Sequence, residues 1–156
     1  MKTTLLALEN DSITLPALTS PFDPHAVLKT RDGLWVSDEF ESCILSQASI
    51  VNKLDSGTCS SYNLKKNAYD REIKMELPEG YEWNASEVCA RIAQMIEQQP
   101  NGKKGDLLNN GDANLFYVPG YVVRVRWRAA YREWGVLAWR LDDDGWGAGY
   151  RVFVRN

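Results

Sequence analysis

Residues 121–128 read Tyr-Val-Val-Arg-Val-Arg-Trp-Arg. Tyr121, Val123, Val125 and Trp127 alternate with Val122, Arg124, Arg126 and Arg128. A period of two puts successive side chains on opposite faces of a strand, so this stretch predicts one apolar and one basic face. Strands of the same kind are expected on either side of it. Residues 115–118 precede it across Pro119-Gly120, and residues 134–141 follow it across 129–133. Residues 150–154 come after Asp142-Asp143-Asp144-Gly145, Gly147 and Gly149. Four apolar runs separated by turn residues predict an antiparallel meander over the last third of the chain.

A sheet with one apolar face needs a cover. The spacing predicts a helix over about 85–99 to supply it. Asn84 is a good N-cap, and Glu87 stands three residues on, where a capping box places its acid. Trp83 and Val88 have the spacing of a hydrophobic staple. Val88, Ile92, Met95 and Ile96, with Cys89 and Ala93, share one face, while Glu87, Arg91, Gln94 and Gln98 are expected in water. Pro100 and Gly102 end the helix.

The predicted fold is therefore α+β in a single domain. Its main part is the four-stranded C-terminal meander packed on helix 85–99. An N-terminal hairpin over 27–36 is expected around Asp32-Gly33, with a second short helix over 70–77 capped by Asp70. Residues 1–24, with Pro16, Pro21 and Pro24, read as an extended arm carrying a short strand near 13–15. Residues 25–156 form the domain proper. Residues 40–52 fit neither period, and 55–63 read as a polar loop with room for one edge strand.

Composition narrows function by exclusion. With 156 residues, 44% hydrophobic and 25% charged, the chain is long and apolar enough for its own core. The net charge is −3, but residues 1–120 hold 11 Lys/Arg against 17 Asp/Glu, and 121–156 hold seven Arg against four acids. A basic third on an acidic body predicts a polarised surface. Lys2 is followed by only four apolar residues, Leu5 to Leu8, before Glu9 and Asp11, too short for an export signal or a bilayer span. The three cysteines, Cys43, Cys59 and Cys89, have no close pair, which favours reduced thiols and a cytoplasmic setting.

Several chemistries lack their residues. His25 is the only histidine, so histidine triads and multi-histidine metal sites are out. The cysteine spacings match no zinc pattern. Gly102-Lys103-Lys104-Gly105 lacks the strand, glycine spacing and hydroxyl of a phosphate loop. Asp142-Asp143-Asp144-Gly145 has contiguous acids where a calcium loop alternates them, and reads as a turn. Asn84-Ala85-Ser86 has the form of a glycosylation sequon, which the helix cap explains. No cofactor or metal is expected, and no enzymatic residue pair stands out.

What the sequence offers is the outer face of the meander. In a regular meander Arg124, Arg126, Arg128, Arg140, Arg151, Arg155 and Phe153 share the face away from the helix, with Tyr131 at its rim; a single bulge would change that set. Guanidinium groups beside rings stack, pair with carboxylates or contact phosphate. The same residues would equally make an ordinary solvated face, with arginine stems covering rings. Trp134 and Trp146, near turns, are the candidates for a groove. The expected function is a non-catalytic protein-binding domain acting through this face on another protein, with an acidic partner surface as its complement. Inhibitors, immunity factors and phage or mobile-element accessory proteins are such small chains. The alternative is nucleic-acid binding by the same face. It is disfavoured by the acidic body and by the glycine and aromatic spacing of residues 149–154, which is wrong for an RNA-recognition strand. A small enzyme whose site is invisible in sequence is the third reading.

Overall fold

The computed structural model describes residues 5–142 and 145–156. In chain order these form β1 (Leu6–Leu15), a one-turn helix α1 (Pro24–Val27), β2 (Leu34–Val36), α2 (Asp38–Cys43) and β3 (Gly57–Leu64). Next come β4 (Ala68–Tyr69), α3 (Asp70–Glu76), α4 (Ala85–Gln98), β5 (Asn114–Val118) and β6 (Tyr121–Arg128). β7 (Glu133–Arg140), β8 (Gly145–Trp146) and β9 (Arg151–Arg155) complete the chain. The architecture is the predicted single-domain α+β. Seven strands make one mixed sheet in the order β1-β3-β9-β5-β6-β7-β2, and β4 pairs with β8 apart from it.

The meander forms over β5, β6 and β7. Pro119 and Gly120, with φ of +84° at the glycine, close the β5–β6 hairpin in the arrangement of a type II turn. β9 departs from the expected order. The chain leaves β7, crosses the outer face as β8, and returns to the far side of β5, where β9 runs parallel to β5 and antiparallel to β3. β5 and β9 therefore lie in the middle of the sheet with a core on each face. This is why all five residues of β5 are buried and why 115–118 reads as an unbroken apolar run.

The first core lies between the sheet and α4. Phe116, Val123, Val125, Val136 and Phe153 meet Trp83, Val88, Ile92 and Met95 there. α4 keeps the predicted N-cap, with Asn84 Oδ1 accepting from Glu87 N at 2.7 Å, but Glu87 does not close the reciprocal half of the expected capping box. The Glu87 carboxylate goes to Arg155 Nε at 3.2 Å. Arg91, expected in water, is only 3% exposed. Its guanidinium donates to Pro16 O at 2.6 Å, Asp55 O at 2.7 Å and Gln94 Oε1 at 3.0 Å. Pro16 leaves β1 and Asp55 leads into β3, so this arginine ties both ends of that pair of strands to the helix.

The second core lies on the opposite face. Leu115, Tyr117, Val122, Val152 and Val154 pack there under Ile73 of α3, Ala68 of β4 and Trp146 of β8. α3 covers the region of the predicted second helix, but Asp70 is inside its first turn and is not the cap. Tyr69 holds the cap position, and its N–H donates to Glu72 Oε1 at 2.9 Å.

The N-terminal half gains most over expectation. Residues 6–15 form a ten-residue strand at the sheet edge, with irregular register after Leu8 and Asn10. Residues 57–64 form an interior strand between β1 and β9. The turn at Asp32-Gly33 exists, with Arg31 and Leu34 exchanging two backbone hydrogen bonds of 2.9 Å. The preceding residues wind into α1, however, and β2 pairs in parallel with β7, so there is no local hairpin. Thr30 Oγ1 accepts from Val36 N at 3.1 Å and donates to Val36 O at 3.3 Å, closing part of the free edge of β2. Within 40–52, α2 capped by Ser37 runs into a short 3-10 turn, Leu45–Gln47.

All three cysteines are free. Burial pushes the thiols of Cys59 and Cys89 up to about 12, while Cys43 is partly exposed. Native protein near neutral pH should therefore react rapidly with a thiol reagent at Cys43 alone, and at all three cysteines once unfolded. Fast native labelling of Cys59 or Cys89, read by peptide mass, would show that the first core opens.

Candidate binding face on β6, β7 and β2

The register of β6 and β7 is unbroken from Tyr121 opposite Arg140 to Arg128 opposite Glu133. Without a bulge, the alternation read at 121–128 holds to its end. Arg124, Arg126 and Arg128 share the face away from α4. Trp35, opposite Gly135, and Leu137, opposite Arg124, join them on it, as does Trp139, opposite Val122. The second core covers the neighbouring strands and reaches this region at Trp146, whose ring is 6.0 Å from the Arg124 guanidinium.

Arg128 is the most constrained of the three. Its stem crosses Gly135, where a side-chain Cβ would stand 3.0 Å from Arg128 Cδ. Its guanidinium centre lies 4.6 Å from the Trp35 ring and 4.4 Å from the Tyr131 ring, and Nη1 donates to Glu133 Oε2 at 2.8 Å. A cation between two rings and beside a carboxylate is spoken for, so Arg128 shapes the face more than it charges it. Tyr131 stands at the tip of the β6–β7 hairpin, 67% exposed. Arg126 occupies the middle of the face. Its Nε is shielded from water without a hydrogen-bond partner, and among the described residues no acid pairs with it. Trp139 Nε1 is likewise buried and unpartnered.

Four of the residues expected on this face lie elsewhere. Phe153 is fully buried in the first core, stacked on Phe116 with centroids 5.0 Å apart. Arg155 shares its side and pairs with Glu87 of α4. Arg151 donates to Asn63 Oδ1 at 2.9 Å, Asp106 O at 2.9 Å and Glu9 Oε1 at 3.2 Å. Arg140, in register with Tyr121, is exposed at the end of β7 on the α4 side. Arg140 follows the parity of β7, whose Trp134, Val136 and Ala138 face the first core; for the other three the reason is the position of β9. As a central strand it is buried on both faces, so Val152 and Val154 take the side that a solvated outer face would have given to Arg151, Phe153 and Arg155. The Trp134–Trp146 groove does not form either. Trp134 is buried in the first core, donating Nε1 to Gln99 O at 2.9 Å, and Trp146 is buried in the second. They lie on opposite sides of the sheet.

Two features of this side were not anticipated. Trp35 reaches the face through parallel pairing of β2, which has no local signal. Asp70 is the other: it is fully buried, and Oδ1 accepts from Tyr117 Oη at 2.7 Å and Trp146 Nε1 at 2.6 Å. Oδ2 accepts from Asp142 N at 2.7 Å. Burial first, and then the Asp70 charge, raise the Tyr117 phenol above its ordinary value. This hub fastens α3, β5 and β8 together beside the arginines. Asp142 accepts from Arg71 N at 3.0 Å. Asp143 and Asp144 of the acidic turn lie outside the described residues. Among the described residues no three His, Cys, Asp or Glu side chains gather as a metal site, and no helix is long and apolar enough to cross a membrane. His25 is exposed in α1, 3.9 Å from Asp23.

The chain matches no protein-family model, no curated protein and no solved structure.

Proposed function

We propose that this chain is a non-catalytic binding domain that docks an acidic surface of another protein on the outer face of β6, β7 and β2. The observation that carries this reading is Arg126, on one face with Trp35 and Leu137 beside it and Trp139 further along β7, with no acid of its own among the described residues. Arginine with tryptophan and tyrosine is the composition of interface hot spots, where a guanidinium can grip a carboxylate in bidentate fashion while rings exclude water. Arg128, Trp35, Tyr131 and Glu133 hold the rim in a set shape, so a partner would meet a prearranged surface. A nucleic-acid strand is served less well. Three arginines of the basic third are paired with acids, Arg128 with Glu133, Arg151 with Glu9 and Arg155 with Glu87, and the last two lie off this face. The counterion release that drives polyanion binding is correspondingly reduced.

The test is Arg126→Glu. The side chain is partly exposed, so the variant should fold with an unchanged melting temperature. Quantitative affinity capture should recover a partner with wild-type protein, and the variant should bind that purified partner roughly tenfold more weakly or worse. Undiminished binding by Arg126→Glu would remove this face from the interface. A gel shift with nucleic acid that fades steeply with salt and is lost in the variant would assign the face to nucleic acid instead.

A further inference from the structure

On the other side of the molecule, residues 17–34 and α4 enclose a cleft of about 610 Å³, within the size range of small-molecule sites. Its floor is apolar. Leu28, Leu34, Ala90 and Trp134 are buried there, with Ala93 and Ile96 half-buried beside them. The space has a sequence cause: α4 turns Ala90, Ala93, Gln94 and Glu97 toward the cleft at helical spacing, and two of these four are alanines.

The walls are held by backbone contacts. Phe22 and Val51 exchange hydrogen bonds of 2.9 Å, and Leu18 N donates to Leu54 O at 3.0 Å. Trp134 N donates to Gly33 O at 2.9 Å, and the Trp134 indole is held by Gln99 O. The rim carries Asp23, Asp32 and Glu97 against one cation, Arg31. Asp23 caps α1 by accepting from His25 N. Asp32, in the turn before β2, and Glu97, on α4, both line the cleft, and among the described residues neither side chain has a hydrogen-bond or ion-pair partner. Unpaired carboxylates over a low-dielectric floor favour positive charge in the space beside them.

We propose that this cleft binds a small organic ammonium ion with a flat apolar body, the ring lying against the half-buried Ala93 and Ile96 of α4 and the ammonium beside Asp32 and Glu97. Three probes with the same ring test it: tryptamine, indole-3-ethanol and indole-3-propionate, cationic, neutral and anionic. Each is titrated into the full chain carrying ¹⁵N and followed by amide shifts. Saturable shifts should centre on residues 17–34, 90–101 and Trp134, with affinity falling from the cation to the neutral probe to the anion. The exposed pair Asp32→Asn and Glu97→Gln should weaken tryptamine about tenfold while leaving indole-3-ethanol unchanged. Ala93→Leu, which fills the cleft, should weaken both. No saturable shift, equal binding of all three probes, or shifts centred elsewhere would each overturn the proposal.

Discussion

Replacing Asp70 by alanine is expected to lower the unfolding free energy by about 3–5 kcal/mol, the cost of breaking a buried charged hydrogen-bond hub. The substitution leaves the Tyr117 hydroxyl, the Trp146 indole N–H and the Asp142 amide facing one another where their acceptor stood. Water does not replace it easily, because Asp70, Tyr117 and Trp146 are all buried. Asp70→Asn separates charge from hydrogen bonding. Its oxygen can still accept from Tyr117 and Trp146, but its amide group then meets the Asp142 N–H, donor against donor. It should fall between wild type and alanine in urea melts. Tyr117→Phe removes one donor along with its hydroxyl and should cost only about 1 kcal/mol. A loss below about 1 kcal/mol for Asp70→Ala would mean that the hub does not fasten the outer cover.

The same hub sets an alkaline limit. The folded-state pKa of Tyr117 is raised above its ordinary value. The folded form therefore holds the phenolic proton more tightly than the unfolded form. That stabilisation is complete below the unfolded tyrosine value of about 10 and is lost as pH rises beyond it. Melting temperature should fall on the alkaline side, and Tyr117→Phe should flatten that limb. An identical alkaline limb in the variant would place the sensitivity elsewhere.

How much of this was legible in the sequence depends on the range of the interactions involved. The helix at 85–98 and the faces of 121–128 were readable because their causes are local: a cap, a period, and a register without bulges. Arg124, Arg126 and Arg128 were placed together for that reason. β9 was misread because alternation alone cannot distinguish a strand solvated on one face from one buried on both. Val152 and Phe153 are equally buried, and only the crossover that inserts β9 between β3 and β5 explains it. The Asp70 hub joins residues more than 40 positions apart. In sequence it looks like a helix cap, since a carboxylate before a short helix usually is one. Trp35 and the cleft likewise depend on β2 reaching β7 across the chain, a parallel pairing with no local signature.

The other large effect should come from the first core. Trp83→Ala is expected to cost about 3–5 kcal/mol, typical of removing a fully buried large aromatic side chain. Trp83 sits just before the α4 cap, its ring 6.0 Å from Phe116, and its indole donates to Phe153 O at 3.0 Å. One side chain thus links the entry to α4 with the central strands β5 and β9. Trp83→Phe keeps a ring but drops the indole hydrogen bond and should lose about half as much. Because the two cores lie on opposite faces of the sheet, these variants should also divide the functions. Well below its melting point, Trp83→Ala should weaken tryptamine binding to the α4 cleft and leave the Arg126 face intact. Asp70→Ala, by loosening Trp146 beside Arg124, should do the reverse. Parallel loss of both activities in either variant would show that the sheet transmits disorder from one face to the other.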